Sequence, residues 1–346
     1  MARSIVIAFL FAATASLTTA ISVMAATNAA VRVVPAESVI ITEFQDLPHG
    51  PPSGSNYFPM GITVGPDGAL WVIDDIDQDS GQDVVARITT MGKRTATFQY
   101  GQQFSTPSFE DIVAGPDGAL WITQDADERI VRVTLAGHFS TFSSPSCPIS
   151  ITAGPDRALW FTMSGCFTTA IGRITTSGAV TVFSNGITGN SVQDITAGPD
   201  GALWFTEPTN DRIGRITTQG AVTEYSMGIP SGSQPYSIAA GPDGALWFTE
   251  FAARRVARIT TAGVVTRQSR QLSANPIDIT AGPDSALWFT EMTSTAARIG
   301  RIATAGGTTE YADPIQGSGA TAITAGPDGN LWFVDTSMNR VGRVKL

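Results

Sequence analysis

Short runs of β-branched and apolar residues alternate with polar positions along most of this chain, and each run stops at glycine or proline within a few residues. The pattern returns about every 43 residues, so the repeat is the unit to read first. In the fourth copy, residues 192–197 form a β-branched run that ends at Gly198, Pro199, Asp200 and Gly201. Proline presets φ for the turn and the closing glycine tolerates a positive φ. A second strand is predicted over 202–207, an alternating third over 212–217, a turn at Thr218, Gln219 and Gly220, and a fourth strand over 221–225. Four short strands joined by tight turns predict one propeller blade.

The seven tryptophans, Trp71, Trp121, Trp160, Trp204, Trp247, Trp288 and Trp332, each close a Gly-Pro-Asp-x-x-Leu-Trp string, and no tryptophan lies elsewhere. Seven blades follow. The last repeat has three strands before the chain ends at Leu346, while residues 39–44 (Val-Ile-Ile-Thr-Glu-Phe) look like the fourth strand of the other repeats. Pairing the two would close the ring and remove the open ends of a linear array. The expectation is an all-β, seven-bladed β-propeller of four-stranded blades, one monomeric domain over 38–346, its last blade closed by the N-terminal strand.

Composition agrees with this plan. Many of the 35 glycines and 20 prolines fall at the repeated turns rather than in a low-complexity tract. A net charge of −9 excludes tight nucleic-acid binding, which needs a basic surface. Two histidines exclude a multi-histidine metal site, and two cysteines exclude a zinc cluster or a disulfide scaffold. Residues 1–25 read as a secretory signal peptide: Arg3, an apolar stretch from Ile5 to about Ile21, and small residues Val23 and Ala25 before the cut, with Ala26 and Ala30 as other cleavage points. Residues 26–37 would be a disordered or loosely attached leader, no segment would span a membrane, and the mature protein would be secreted.

Strand direction selects a candidate site. One mouth of the ring carries the Gly-Pro-Asp turns, and the other gathers the ends of the second strands and the starts of the inner strands. The first set is Asp74, Gln124, Met163, Glu207, Glu250, Glu291 and Asp335, mostly carboxylates. Such a ring of like charge needs counter-charges, raised pKa values or a cation. The second set is Met60, Glu110, Ile149, Gln193, Tyr236, Ile277 and Thr321. His49 and Tyr57 lie in the loop 46–59 on the same mouth. Arginines on the third strands (Arg87 to Arg343) and the turn aspartates (Asp67 to Asp328) recur in every blade and read as architecture, inter-blade or turn-bracing. Cys147 and Cys166 flank the tip of the third blade's first hairpin symmetrically, so an exported protein would pair them in a disulfide.

The repeat Ile-Thr-Ala-Gly-Pro-Asp-Gly-Ala-Leu-Trp-Phe-Thr-Glu, followed by Arg-Ile-Gly-Arg-Ile-Thr-Thr-x-Gly and Val-Thr-Glu-Tyr, resembles the streptogramin (virginiamycin B) lyases over nearly the whole mature chain. The resemblance implies a seven-bladed propeller that linearises a cyclic depsipeptide antibiotic by elimination at its ester, with a magnesium ion and a histidine base at one mouth. Thr321 and Ile277 stand where the family has its two histidines, Gly319 where it has a metal-binding glutamate, and Asp335 or Thr336 at its other metal position; Met60 replaces a tyrosine, three residues from Tyr57. Asp335 is therefore the one metal-ligand candidate. Glu291, Glu250, Glu110 with Tyr236, and His49 are the candidates for a base, and Tyr57, Met60, Gln193, Glu207, Ile277 and Thr321 those for ligand contact. Four functions remain open: a propeller binding a small or cyclic-peptide ligand without lyase turnover, a lyase with a displaced base, a Ca²⁺-dependent lactonase, and a non-catalytic interaction platform.

Overall fold

The computed structural model describes residues 32–34, 39–44, 58–77, 82–101, 109–292, 298–312 and 319–346. These form seven blades around an axis, each built on four antiparallel strands, in chain order except that the seventh takes its outer strand from the N-terminal part of the chain. Their inner strands are Phe58–Val64, Phe109–Ala114, Pro148–Ala153, Ile195–Ala197, Pro235–Ala240, Asn275–Ala281 and Ala320–Ala325. Each inner strand packs on the next, and the last packs on the first, which closes the ring. No helix among the described residues is long and apolar enough to cross a membrane.

Closure is made as the sequence predicts. Ile40–Phe44 pairs antiparallel with Arg340–Lys345 and completes the seventh blade. Phe44 stacks on Trp332 at 5.5 Å between ring centroids. Its ring also lies against Gly92 of the first blade, where a Cβ would enter the ring. The closing strand therefore joins blade seven to blade one. The leader differs from expectation, because Arg32–Val34 is a strand that runs parallel to Thr308–Ala312 and gives the sixth blade a fifth strand. The signal-peptide segment and the loop holding His49 and Tyr57 lie outside the described residues.

Every tryptophan is buried, and its indole N–H donates to the aspartate of its own Gly-Pro-Asp turn; for Trp204 and Asp200 the distance is 3.0 Å. In six blades the other carboxylate oxygen takes the arginine of the third strand at 2.6–2.7 Å. These repeated charges thus brace the turn within a blade. The seventh departs: Asp328 bonds Asn330, and Arg343 donates to the Thr90 carbonyl of blade one. Burial would raise these aspartates, but the indole and, where present, the guanidinium outweigh it and hold them below the usual carboxylate range.

Blades are zipped together near the axis by threonines two residues beyond the tryptophans. In blades two to six the Thr Oγ accepts an inner-strand N–H of its own blade at 2.9–3.1 Å. The same hydroxyl donates to an inner-strand carbonyl of the next blade at 2.7–3.3 Å. One side chain satisfies two buried backbone groups that the sheets leave over. The predicted disulfide is present, linking Cys147 and Cys166 with a Cα–Cα distance of 5.6 Å.

Candidate functional site

The inner strands do not reach the mouth in regular register. In six blades the pairing of inner and second strands shifts near the mouth, between Phe109 and Ile112, for example, or Pro235 and Ile238. A bulge re-aims side chains, and such bulges concentrate beside functional sites. Here they sit at the residues singled out for the mouth, Met60, Glu110, Ile149, Tyr236, Ile277 and Thr321, with Gln193 at the matching place in blade four.

Glu110 and Tyr236 show that this tier faces the axis. Tyr236, in blade five, is raised by burial first and then by Glu110, Asp194 and Asp278, which belong to blades two, four and six. Only a group beside the axis feels three blades at once. Glu110 is itself pushed up to about 7, by burial first and then by Asp125 and Asp111. The Tyr236 ring is held by Phe251 at 5.7 Å. An acid-base carboxyl and a phenol are thereby brought to one opening, together with Gln193, Thr321 and the apolar Met60, Ile149 and Ile277.

The second-strand carboxylates are placed otherwise. Glu207, Glu250, Glu291 and Asp335 are fully buried, turned into the blade rather than lining the opening. Glu207 sits beside Glu224, which Arg212 holds at 2.6 Å; burial first, then Glu224, pushes Glu207 up to about 8. Glu291 sits beside Glu310, and burial followed by that like charge pushes it up to about 8 as well. Glu250 faces Arg267 at 3.4 Å, and burial still raises it against that charge. Of the base candidates among the described residues, Glu110 and Tyr236 are the ones that stand at the axis.

At the implied metal position, one oxygen of Asp335 is already engaged. Asp335 Oδ1 accepts from the Ser337 hydroxyl at 2.7 Å and the Met338 N–H at 3.2 Å, and its cross-strand neighbour is Arg340. At Gly319 a Cβ would lie 2.6 Å from Thr336 Oγ1 and 3.0 Å from the Ser337 nitrogen, so a longer side chain has no room without a shift. Among the described residues, the only grouping of three close acidic, histidine or cysteine ligand atoms is Glu128 with Cys147 and Cys166, whose sulfurs are already joined. A hard cation wants several oxygen ligands. Asp335 Oδ2 is buried without a hydrogen-bond partner, but no group of three such ligand atoms among the described residues includes Asp335, so these residues do not complete a magnesium site.

A second tier, one residue deeper, was not singled out from the sequence. It reads Gly61, Asp111, Ser150, Asp194, Ser237, Asp278 and Ala322 from blade one to blade seven. The alternation of Asp and Ser over blades two to six is visible once the repeats are aligned on their glycines.

This architecture defines a seven-bladed β-propeller, with the candidate site at the axial mouth opposite the Gly-Pro-Asp turns. The family model described as the virginiamycin B lyase family matches residues 50–269 and 229–346, and the chain belongs to that family. A catalytically inactive histidine-to-alanine variant of virginiamycin B lyase from Staphylococcus aureus, solved with quinupristin, is 31% identical, with 89% of this chain and 99% of that one covered and a TM-score of 0.76. A streptogramin B lyase structure is 30% identical over 89% and 98% of the two chains, again with a TM-score of 0.76. The extracellular domain of a hybrid two-component system from B. thetaiotaomicron, 15% identical over 88% of this chain and 40% of that one, shares the fold with a TM-score of 0.66. No curated protein sequence matches.

Proposed function

We propose that this chain is an exported member of its family that binds a small-molecule or cyclic-peptide ligand at the axial mouth, without the family's histidine-based elimination. The observation that carries this reading is the bulged inner-strand tier. Met60, Ile149 and Ile277 supply apolar surface, and Glu110, Gln193, Tyr236 and Thr321 supply a few convergent polar groups, the make-up of a small-ligand site. Thr321 and Ile277 occupy the positions where the resemblance implies histidines, and neither side chain takes a proton at neutral pH. The relative solved with quinupristin supports the ligand class. The Cys147–Cys166 disulfide supports export.

The test is calorimetric titration with quinupristin together with mass spectrometry of the ligand. Binding that weakens in Tyr236→Ala and Gln193→Ala, with no linearised product, is expected. Linearised product would sink the reading and favour a lyase with a displaced base, because Glu110 is held near neutrality opposite Tyr236. Glu110→Gln would then lower turnover by ~10²–10⁴-fold, the usual contribution of a general base. Binding unchanged by EDTA, Mg²⁺ or Ca²⁺ is also expected. Cation-dependent lactone hydrolysis would favour a lactonase, and failure to bind any small ligand an interaction platform.

A further inference from the structure

The deeper axial tier is one connected arc. Ser150 Oγ lies 3.0 Å from Asp111 Oδ2 and 2.8 Å from Asp194 Oδ1. Ser237 Oγ lies 2.8 Å from Asp194 Oδ2 and 2.9 Å from Asp278 Oδ1. Each aspartate also joins two inner strands through backbone N–H groups. Asp111 accepts from Ile112 and Ile151, Asp194 from Ile195 and Ile238, and Asp278 from Ile279 and Ile323, all at 2.7–2.9 Å. Blades two to seven are stapled in this way, and the arc ends where blades seven and one carry Ala322 and Gly61.

Hydrogen counting does not close with three ionised carboxylates. Four oxygen–oxygen contacts need four hydrogens, and a serine hydroxyl supplies one. Two contacts would set lone pair against lone pair in a buried place, an arrangement that costs free energy. The geometry points to a shared-proton arc, in which Asp111 and Asp278 each hold a proton and donate it to Ser150 and Ser237, whose own hydroxyls both donate to Asp194, the single carboxylate of the five.

Asp194 is the member best fitted to carry the charge. As the anion it receives four donors, the two serines and the two N–H groups of Ile195 and Ile238, whereas Asp111 or Asp278 as the anion would receive three. Placing the charge in the middle also keeps the two outer carboxyls neutral, so no two negative charges are adjacent along the arc. The titratable groups that face it are Glu110, next to Asp111 in the same bulge, and the Tyr236 phenol, which senses Asp194 and Asp278. No basic side chain among the described residues is bonded to it. Burial, followed by Asp194 in the case of Asp278, raises Asp111 to about 6 and Asp278 to about 7, and burial raises Asp194 as well, so the donor count is what places the charge on Asp194. The arc is thus a proton-binding site beneath the mouth. When Asp111 gives up its proton, a second charge appears beside Glu110.

The test uses the full protein labelled at the aspartate carboxyl carbon with ¹³C, followed by NMR against pH. Asp111→Asn, Asp194→Asn and Asp278→Asn each remove one signal and so assign it. Asp111 and Asp278 are expected to titrate with midpoints between about 6 and 7, while Asp194 keeps the shift of an ionised carboxylate throughout. Three ionised carboxylates at about pH 5, or a protonated Asp194 between two ionised neighbours, would overturn the arc. Should the variants not fold, isotope-shifted infrared bands of the labelled wild-type protein decide. A protonated aspartic-acid band at about pH 5 that disappears by about pH 8 supports the proposal, and its absence at about pH 5 refutes it.

Discussion

Asp200 holds Trp204 through one oxygen at 3.0 Å and Arg215 through the other at 2.7 Å, so a single turn residue ties the hairpin, the buried indole and the third strand together. Asp200→Ala leaves the indole N–H without its acceptor inside the blade. A loss of about 1.5–3 kcal/mol in urea unfolding is expected, the range for hydrogen bonds to charged groups. Asp328, whose blade lacks the arginine contact, is the internal control, and Asp328→Ala should cost measurably less. Equal losses would mean that the arginine adds nothing.

Phe205 lies across the strand from Gly214, and a Cβ on that glycine would enter its ring. Blade five relaxes the same pairing, with Ala257 opposite Phe248. Gly214→Val should therefore destabilise by about 1–3 kcal/mol through overpacking, and Phe205→Leu in the same chain should restore part of the loss. A thermal melt of the single and double variants checks both.

Stability should peak on the acid side of neutrality. Asp111, Asp278, Glu207 and Glu291 are raised to between about 6 and about 8 in the fold, against about 4 in an unfolded chain. Between those limits the folded protein binds more protons than the unfolded one, so stability falls as pH rises from about 4 to about 8. The turn aspartates are shifted the other way, and their contribution is lost as pH falls below about 4. Melting temperature against pH at constant ionic strength should have its maximum near pH 4–5. A curve that climbs from pH 5 to pH 8 would contradict the assignment.

Cys147 and Cys166 close a short loop, 19 residues apart, around the third blade's first hairpin. The double variant Cys147→Ser/Cys166→Ser should lose about 2–4 kcal/mol. Reductant should lower the melting temperature of the native protein and leave that of the variant alone.

Much of this was legible from one chain because the repeat writes the same physics seven times. Each Gly-Pro-Asp string fixes a turn and delivers a tryptophan four residues later, so blade number, turn positions and ring closure at residues 39–44 follow from spacing. The cysteine pairing follows from hairpin symmetry. The site was harder for a stated reason: counting along the strand places Glu207 and Glu291 at the correct end of the ring but does not say which way they point. Their cross-strand partners Arg212 and Arg298, and the neighbouring Glu224 and Glu310, lie on the same blade face, and that turns the carboxylates inward. Glu110 and Tyr236 were found because inner-strand starts meet at an axis whatever their rotation. The Asp–Ser alternation is harder to see because strand direction selects the residues one position earlier, at the starts of the inner strands. The strand Arg32–Val34 escaped because three residues carry too little periodicity to register.

Strand Ile40–Phe44 finds its partner about 300 residues later, with Glu43 bonded to Arg340 across a separation of 297. On a ribosome the chain is therefore committed to waiting. Strand Ile40–Phe44 emerges early and stays without its partner until Arg340–Lys345 is released. A chain that lacks Arg340–Lys345 therefore gives not a slightly smaller ring but an unlatched one.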